Sequence, residues 1–216
     1  ALIVGRQPIL DKNGVTFGYE LLYRGDADHA FDDLHEDEAT SHVINNAFYN
    51  TEFGSLTSGK KCFINFTSHL VMDEMWRVLP KDKVVIELLE NIEPTDEVIA
   101  AVKNIKKAGY KIALDDFEYD KKLKPLIELA DIIKVDLTVS NLHTVETLAK
   151  IFLPQRKIML AEKVETVKEF KACRDWGYTL FQGYFFAEPQ ILESDQIVES
   201  KASQLQLMQK IHIRDI

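Results

Sequence analysis

Lys111-Ile112-Ala113-Leu114-Asp115-Asp116-Phe117 runs three apolar residues straight into two adjacent carboxylates. Ile112, Ala113 and Leu114 read as a buried strand, and the acids as its end. Neighbouring carboxylates each disfavour the other's charged form unless a cation, a donor or water compensates them. A paired acid at a strand end therefore points to bound metal, with the rest of the chain as a scaffold that brings further oxygen ligands to it.

Outward from this stretch, strand-like runs recur at residues 62–66 and 84–89 on one side and at 132–135, 158–161 and 179–181 on the other. The longer intervals carry helical patterns. Val98, Ile99, Val102 and Ile105 share one face, with Gly109 placed to end that helix. Val167, Phe170, Cys173 and Trp176 do the same ahead of Gly177, and Thr166 with Glu169 fits a capping box. Near the start, two apolar-rich runs at 2–10 and 15–23 flank Asp11-Lys12-Asn13-Gly14, and Asn-Gly in that setting predicts a hairpin of antiparallel strands. Val43, Ile44, Ala47 and Phe48 recur at helical spacing, followed by a loop around Gly54 and Gly59. Eight strand candidates alternating with helices predict an α/β fold, a (β/α)8-like TIM barrel with an antiparallel first strand. An open doubly wound sheet is the alternative. The barrel domain is expected over residues 1–192. Residues 193–216, a mixed helical pattern around Leu205, Met208 and Ile211 without a C-cap signal, read as a helical tail that begins a linker to a downstream domain.

The 216 residues are 46% hydrophobic and 28% charged, the balance of a soluble domain able to enclose one sizeable core. No run approaches eighteen consecutive apolar residues, and the start lacks a basic region followed by a long apolar stretch, so a cytoplasmic protein without membrane contact is expected. The first residue is not Met, which leaves room for an upstream segment. A formal charge of -9 argues against DNA as a partner, and an anionic ligand would need local cations or metal. Cys62 and Cys173 lie far apart with no CxxC partner and read as buried thiols.

Parallel strands point all their C-terminal ends at one face, where catalytic side chains collect. Polar residues fall there repeatedly: Glu20 within the second strand, Asn65 at the end of the third, Glu87 inside the apolar fourth, and Asp115 with Asp116 at the end of the fifth. Lys134 and Asp136 bracket the sixth, Glu162 ends the seventh, and Gln182-Gly183 follows the eighth. These carboxylates and amides are hard donors suited to Mg²⁺, Mn²⁺ or Ca²⁺, and the absence of a His cluster argues against zinc or iron. A two-cation centre fits this set best.

Taken in order, FGYELLYRG, FINFT, VVIELLEN, ALDDF, IKVD, AEKVET and FQGYFF resemble the motifs of the EAL family, bacterial cyclic di-GMP phosphodiesterases and their inactive relatives, from about Arg6 to Pro189. RQPI followed by YELLYR resembles in particular the EAL domains that precede an HDOD domain, which would account for the tail. The resemblance implies metal ligation by Glu20, Asn65, Glu87 and Asp115, with Asp116 on a second cation, and Mg²⁺ or Mn²⁺ as the cofactor. It implies catalytic roles for Glu162, which activates or positions water, and Lys134, substrate contacts from Arg24 and Gln182, and a loop-anchoring role for Glu90. The implied reaction opens cyclic di-GMP to the linear dinucleotide.

Three positions depart from the family pattern. Leu21 stands for Ala in the signature, an apolar exchange that removes no ligand. Lys163 replaces a glycine, where it is expected to pair with Glu162 or to point outward. Glu118-Tyr119-Asp120-Lys121-Lys122 replaces a Gly-Thr-Gly loop; without glycines that loop must take another path, leaving the second cation weaker. Two function classes stay open: a two-cation phosphodiesterase, and a catalytically weak or inactive EAL module that binds cyclic di-GMP or a protein partner. A purely structural spacer is the third possibility.

Overall fold

The computed structural model describes residues 3–24, 40–41, 57–188 and 190–192. β1 (Ile3–Asp11) and β2 (Thr16–Arg24) form the expected antiparallel hairpin. The Asp11 carboxylate accepts from the backbone N–H of Asn13 at 2.8 Å and of Val15 at 3.0 Å, and Gly14 supplies the positive φ that closes the turn. β3 (Lys61–Phe66), β4 (Val84–Leu88), β5 (Lys111–Leu114), β6 (Ile132–Asp136), β7 (Ile158–Glu162) and β8 (Leu180–Phe181) follow β2 in order, each parallel to the last. β8 pairs antiparallel with β1 through Leu10 and Asp11, so eight strands close into a barrel whose first strand runs against the rest. Closure excludes the doubly wound alternative. A ninth strand, β9 (Gln190–Leu192), pairs antiparallel with Val4, Gly5 and Arg6 of β1. At three residues it is too short to show a period in sequence.

The crossovers carry α1 (Ser68–Met72), α2 (Asp96–Lys107), α3 (Lys124–Leu129), α4 (Leu142–Phe152) and α5 (Val167–Asp175). α2 starts where the Thr95 hydroxyl accepts from Val98 N, buries Val98, Val102 and Ile105, and ends before Gly109 at φ +96°. α5 opens with the expected Thr166–Glu169 capping box, an arrangement that contributes about 1 kcal/mol. No helix among the described residues is long and apolar enough to cross a membrane. The expected helix around Val43–Phe48, the loop at Gly54 and the tail around Leu205 lie outside the described residues.

Strand alternation divides the buried residues into two cores. The larger lies between the barrel wall and its helices and includes Ile64, Ile86, Ile112, Ile133, Val135 and Met159. The smaller fills the barrel: Ile9, Phe63, Val85, Ala113, Ile132, Leu160 and Leu180. Moving two residues along each strand from this inner layer reaches Gln7, Asn65, Glu87, Asp115, Lys134, Glu162 and Gln182. The polar layer thus sits on an apolar floor, at the C-terminal ends of the parallel strands.

The rim is held by the packing of one turn on another. Val164 N donates to Gln182 O at 3.0 Å and Phe185 N to Val164 O at 3.0 Å, tying the turn after β7 to the turn after β8. Gly183, at φ +150°, permits this approach, since a Cβ there would stand 2.3 Å from both the N and the O of Val164. Gly183→Ala is therefore expected to cost about 3 kcal/mol or more, from steric overlap added to backbone strain. Gly59→Ala, at φ +75° with no atom within 4 Å of the added Cβ, should cost only about 1 kcal/mol. Urea unfolding of both variants checks this; equal losses would show that the Val164 turn yields freely.

Candidate active site

Lys134 of β6 is fully buried, and four carboxylates from four other strand ends surround its ammonium. It hydrogen-bonds Glu87 of β4, Asp115 after β5 at 2.7 Å and Glu162 at the end of β7 at 2.9 Å, and lies 3.6 Å from Glu20 of β2. Gln182, after β8, donates its amide to Glu20 at 2.6 Å and to Gln7 of β1 at 2.9 Å. Asn65 of β3 lies beside Glu87 in the ladder. The end of β5 is fixed from both sides: Asp115 N donates to Leu88 O, the chain turns at Asp116 with φ +37°, and Phe117 N donates to Lys134 O, both bonds at 2.9 Å.

Four acids around one ammonium cannot share a single protonation state. Burial pushes the Glu87 and Glu162 carboxyls well above the usual range, with the neighbouring acids adding to the rise. Burial also opposes ionisation of Asp115, but the charge and hydrogen bond of Lys134 outweigh it and hold Asp115 below its ordinary value. Burial would neutralise Lys134, yet the surrounding carboxylates raise it further and keep it charged.

The donor set fits a divalent cation. Among the described residues, Asn65 Oδ1, Glu87 Oε2, Glu162 Oε2 and Gln182 Oε1 are buried without a hydrogen-bond donor. All four are acceptor oxygens of the kind that ligate hard cations. An unsatisfied buried acceptor costs about 1–3 kcal/mol, and four of them in one layer suit a cation bound among them.

Asp116 and Glu90 stand to one side. Oxygens of Glu90, Asp115 and Asp116 lie within 4.8 Å of one another, on the wall of a cavity of about 810 Å³ that Asp136, Lys163 and the 118–122 loop also line. Glu90 is exposed. The loop follows a path that needs no glycine: none of residues 118–122 has positive φ, and the Asp120 carboxylate caps a turn of 3₁₀ helix by accepting from Lys122 N at 2.9 Å. Phe117 packs edge-on against Phe152 of α4 at 5.4 Å.

The structure thus brings together Glu20, Asn65, Glu87, Asp115, Lys134, Glu162 and Gln182, with Asp116 and Glu90 adjoining; the side chain of Arg24, the last residue of β2, lies outside the described residues. Lys163 does not pair with Glu162: its side chain is exposed, as the outward alternative expects, and its ammonium pairs with Asp136 and approaches Asp116 at 3.8 Å. The sequence reading did not assign Gln7 to the site. Its signal was a polar residue two positions from the inward-facing Ile9.

The EAL domain profile matches residues 3–189. The uncharacterized protein YuxH of Bacillus subtilis (strain 168) is 35% identical over 215 residues, covering 97% of this chain and 53% of that protein. The cyclic di-GMP phosphodiesterase CdgJ of Vibrio cholerae is 34% identical over 211 residues, covering 96% of this chain and 49% of that protein. The chain therefore spans about half the length of each. Among solved structures, Klebsiella pneumoniae BlrP1 in its manganese and cyclic di-GMP complex superposes with a TM-score of 0.69 at 21% identity, over 88% of this chain and 56% of that one. With the profile covering nearly the whole barrel, from its first strand to the turn after its eighth, the chain belongs to the EAL domain family.

Proposed function

We propose that this domain is a divalent-cation-dependent phosphodiesterase that hydrolyses cyclic di-GMP to the linear dinucleotide. The observation that carries the reading is the set of four donor-less oxygens, on Asn65, Glu87, Glu162 and Gln182, in the same layer as the carboxylates around Lys134. Glu20, Asn65, Glu87 and Asp115 hold the first cation, and Asp115 and Asp116 the second. Bound Mg²⁺ or Mn²⁺ supplies the positive charge that phosphodiester displacement needs on the attacking and leaving oxygens. Glu162 is the base: Lys134 fixes one of its oxygens at 2.9 Å, the other is left to accept a proton from water, and burial makes the carboxylate more basic than an exposed one. Lys134 keeps the acids in place, Gln182 orients Glu20 and meets substrate, and Arg24 offers a guanidinium fork to a phosphate. Glu90, which matches the family's loop-anchoring acid, stands beside Asp115 and Asp116 on the same cavity wall as the altered loop.

The relatives extend beyond this chain, and we propose that residues 193–216 lead to an HDOD domain, in a cytoplasmic protein. One observation favours a second reading, a binding module without turnover: the glycine-free loop beside Asp116. Incubation with cyclic di-GMP and Mn²⁺ or Mg²⁺, followed by chromatography and calorimetry, separates the two. Linear product is expected; binding without product in either metal would favour the module, and neither would leave a structural barrel.

One variant and one condition sharpen the test. Asp115→Asn removes a charge shared by both cations, so Mn²⁺ uptake and hydrolysis should fall together by at least about 100-fold, while the metal-free variant melts at or near the parent temperature. A variant that unfolds far below the parent would make Asp115 structural. The raised Glu87 and Glu162 carboxyls hold protons in the metal-free protein at any pH below their elevated pKa values, and a cation must displace them. Mn²⁺ affinity should therefore rise with pH, and calorimetry in buffers of different ionisation enthalpy should register proton release. Affinity independent of pH between about 6 and 8 would mean that these carboxyls are already ionised.

A further inference from the structure

Lys163 occupies a costly position. It sits at φ +52°, a left-handed conformation that strains any residue with a Cβ, directly after Glu162 and on the wall of the cavity beside Asp116. Its ammonium hydrogen-bonds Asp136 Oδ2 and lies 3.8 Å from Asp116 Oδ2. Asp136 is buried, and its other oxygen accepts from Thr138 N at 2.6 Å and from the Thr138 hydroxyl at 2.7 Å. Both of its oxygens are thus satisfied, whereas the donor-less oxygens all lie in the layer around Lys134. The two halves of the rim differ in this respect: around Lys134 some acceptors stay unsatisfied, whereas at Asp136 Lys163 and Thr138 satisfy both oxygens.

The geometry points to Lys163 as a built-in counter-ion of Asp116 and Asp136 that competes with the second divalent cation and sets its affinity. The proposal rests on the cation-dependent reading above. Lys134 is fully buried and serves four acids, so it cannot leave its place. The Lys163 side chain is 52% exposed, and it can swing into solvent when a stronger cation arrives. Until then its charge stands 3.8 Å from the Asp116 carboxylate. A divalent ion approaching Asp116 meets a like charge and must displace it from Asp136 as well, so the second position fills only at higher metal concentration than the first. The lysine makes metal supply a control on the assembled two-cation state, without altering the first site.

Titration of Mn²⁺ into the parent, Lys163→Ala and Lys163→Gln, counted by the electron paramagnetic resonance of free Mn²⁺ and by calorimetry, tests this. The parent should take one tight equivalent and a second at least tenfold weaker. Both variants should tighten the second at least tenfold, about 1.4 kcal/mol, with the first unchanged. Metal-free Lys163→Ala should melt below the parent because Asp136 loses its partner, and Mn²⁺ should raise its Tm by more than it raises the parent's. Lys163→Gln retains a donor for Asp136 and decides the matter should the alanine variant fail to fold. A second equivalent of unchanged affinity in the variants, or two equally tight equivalents in the parent, overturns the role of Lys163 and leaves the cation-dependent reading standing. No Mn²⁺ uptake by any of the three proteins overturns both.

Discussion

The interaction on which the rest of the structure depends is the buried contact of the Lys134 ammonium with the carboxylates of Glu20, Glu87, Asp115 and Glu162. Each acid comes from a different strand, so the contact exists only when the barrel is closed and every strand is in register. A slip of one residue in β6 would send Lys134 outward among the helices and bring Ile133 or Val135 into the mouth. Removing Lys134 would cost about 3–5 kcal/mol, because the four carboxylates left behind would have no cation between them. The lysine therefore specifies the strand register more than it adds net stability.

That layer works because of what lies under it. Ile9, Phe63, Val85, Ala113, Ile132, Leu160 and Leu180 seal the barrel below the charges. Exclusion of water from that side strengthens each charge–charge contact and raises the buried glutamates. The donor-less oxygens are a local cost that the fold tolerates because the outer core, continuous from Leu10 to Phe186, is far larger than the inner one. The unsatisfied acceptors lie at the rim, where cation and substrate would meet the chain, as expected where function takes precedence over local stability.

Much of this was legible in the sequence, and for identifiable reasons. A period of two turned Val85 into Glu87 and Ala113 into Asp115, so the inward face could be read as apolar and then charged along each strand. Thr166 with Glu169, and Gly109, announced helix ends because capping is local chemistry carried by neighbouring residues. What was not legible depended on contacts between distant segments. β9 pairs with the first strand, far away in the sequence. Gln7 joins the site only because Gln182, far along the chain, reaches back to it. The choice of Asp136 over Glu162 by Lys163 follows from the strand pairing that sets Asp136 opposite Glu162, which makes either acid a neighbour by sequence logic, and from the left-handed backbone at Lys163, which no pattern reports.

The departures from the family pattern fall on one side of the mouth, and this makes them coherent. The 118–122 loop replaces glycine-dependent turns with an Asp120-capped turn of 3₁₀ helix, and Phe117 and Tyr119 both lie against Phe152, at 5.4 and 6.5 Å. Asp116 is therefore positioned by its own strained φ, by the burial of Phe117 and by the nearby Lys163 charge, without any glycine. Asp115, one residue earlier, is held by the ladder to Leu88 and by Lys134. Adjacent carboxylates in the same motif thus answer to different supports, one to the closed barrel and one to a loop and an exposed lysine. Changes in the loop can retune the outer carboxylate while the inner one, fixed by the barrel itself, keeps its geometry.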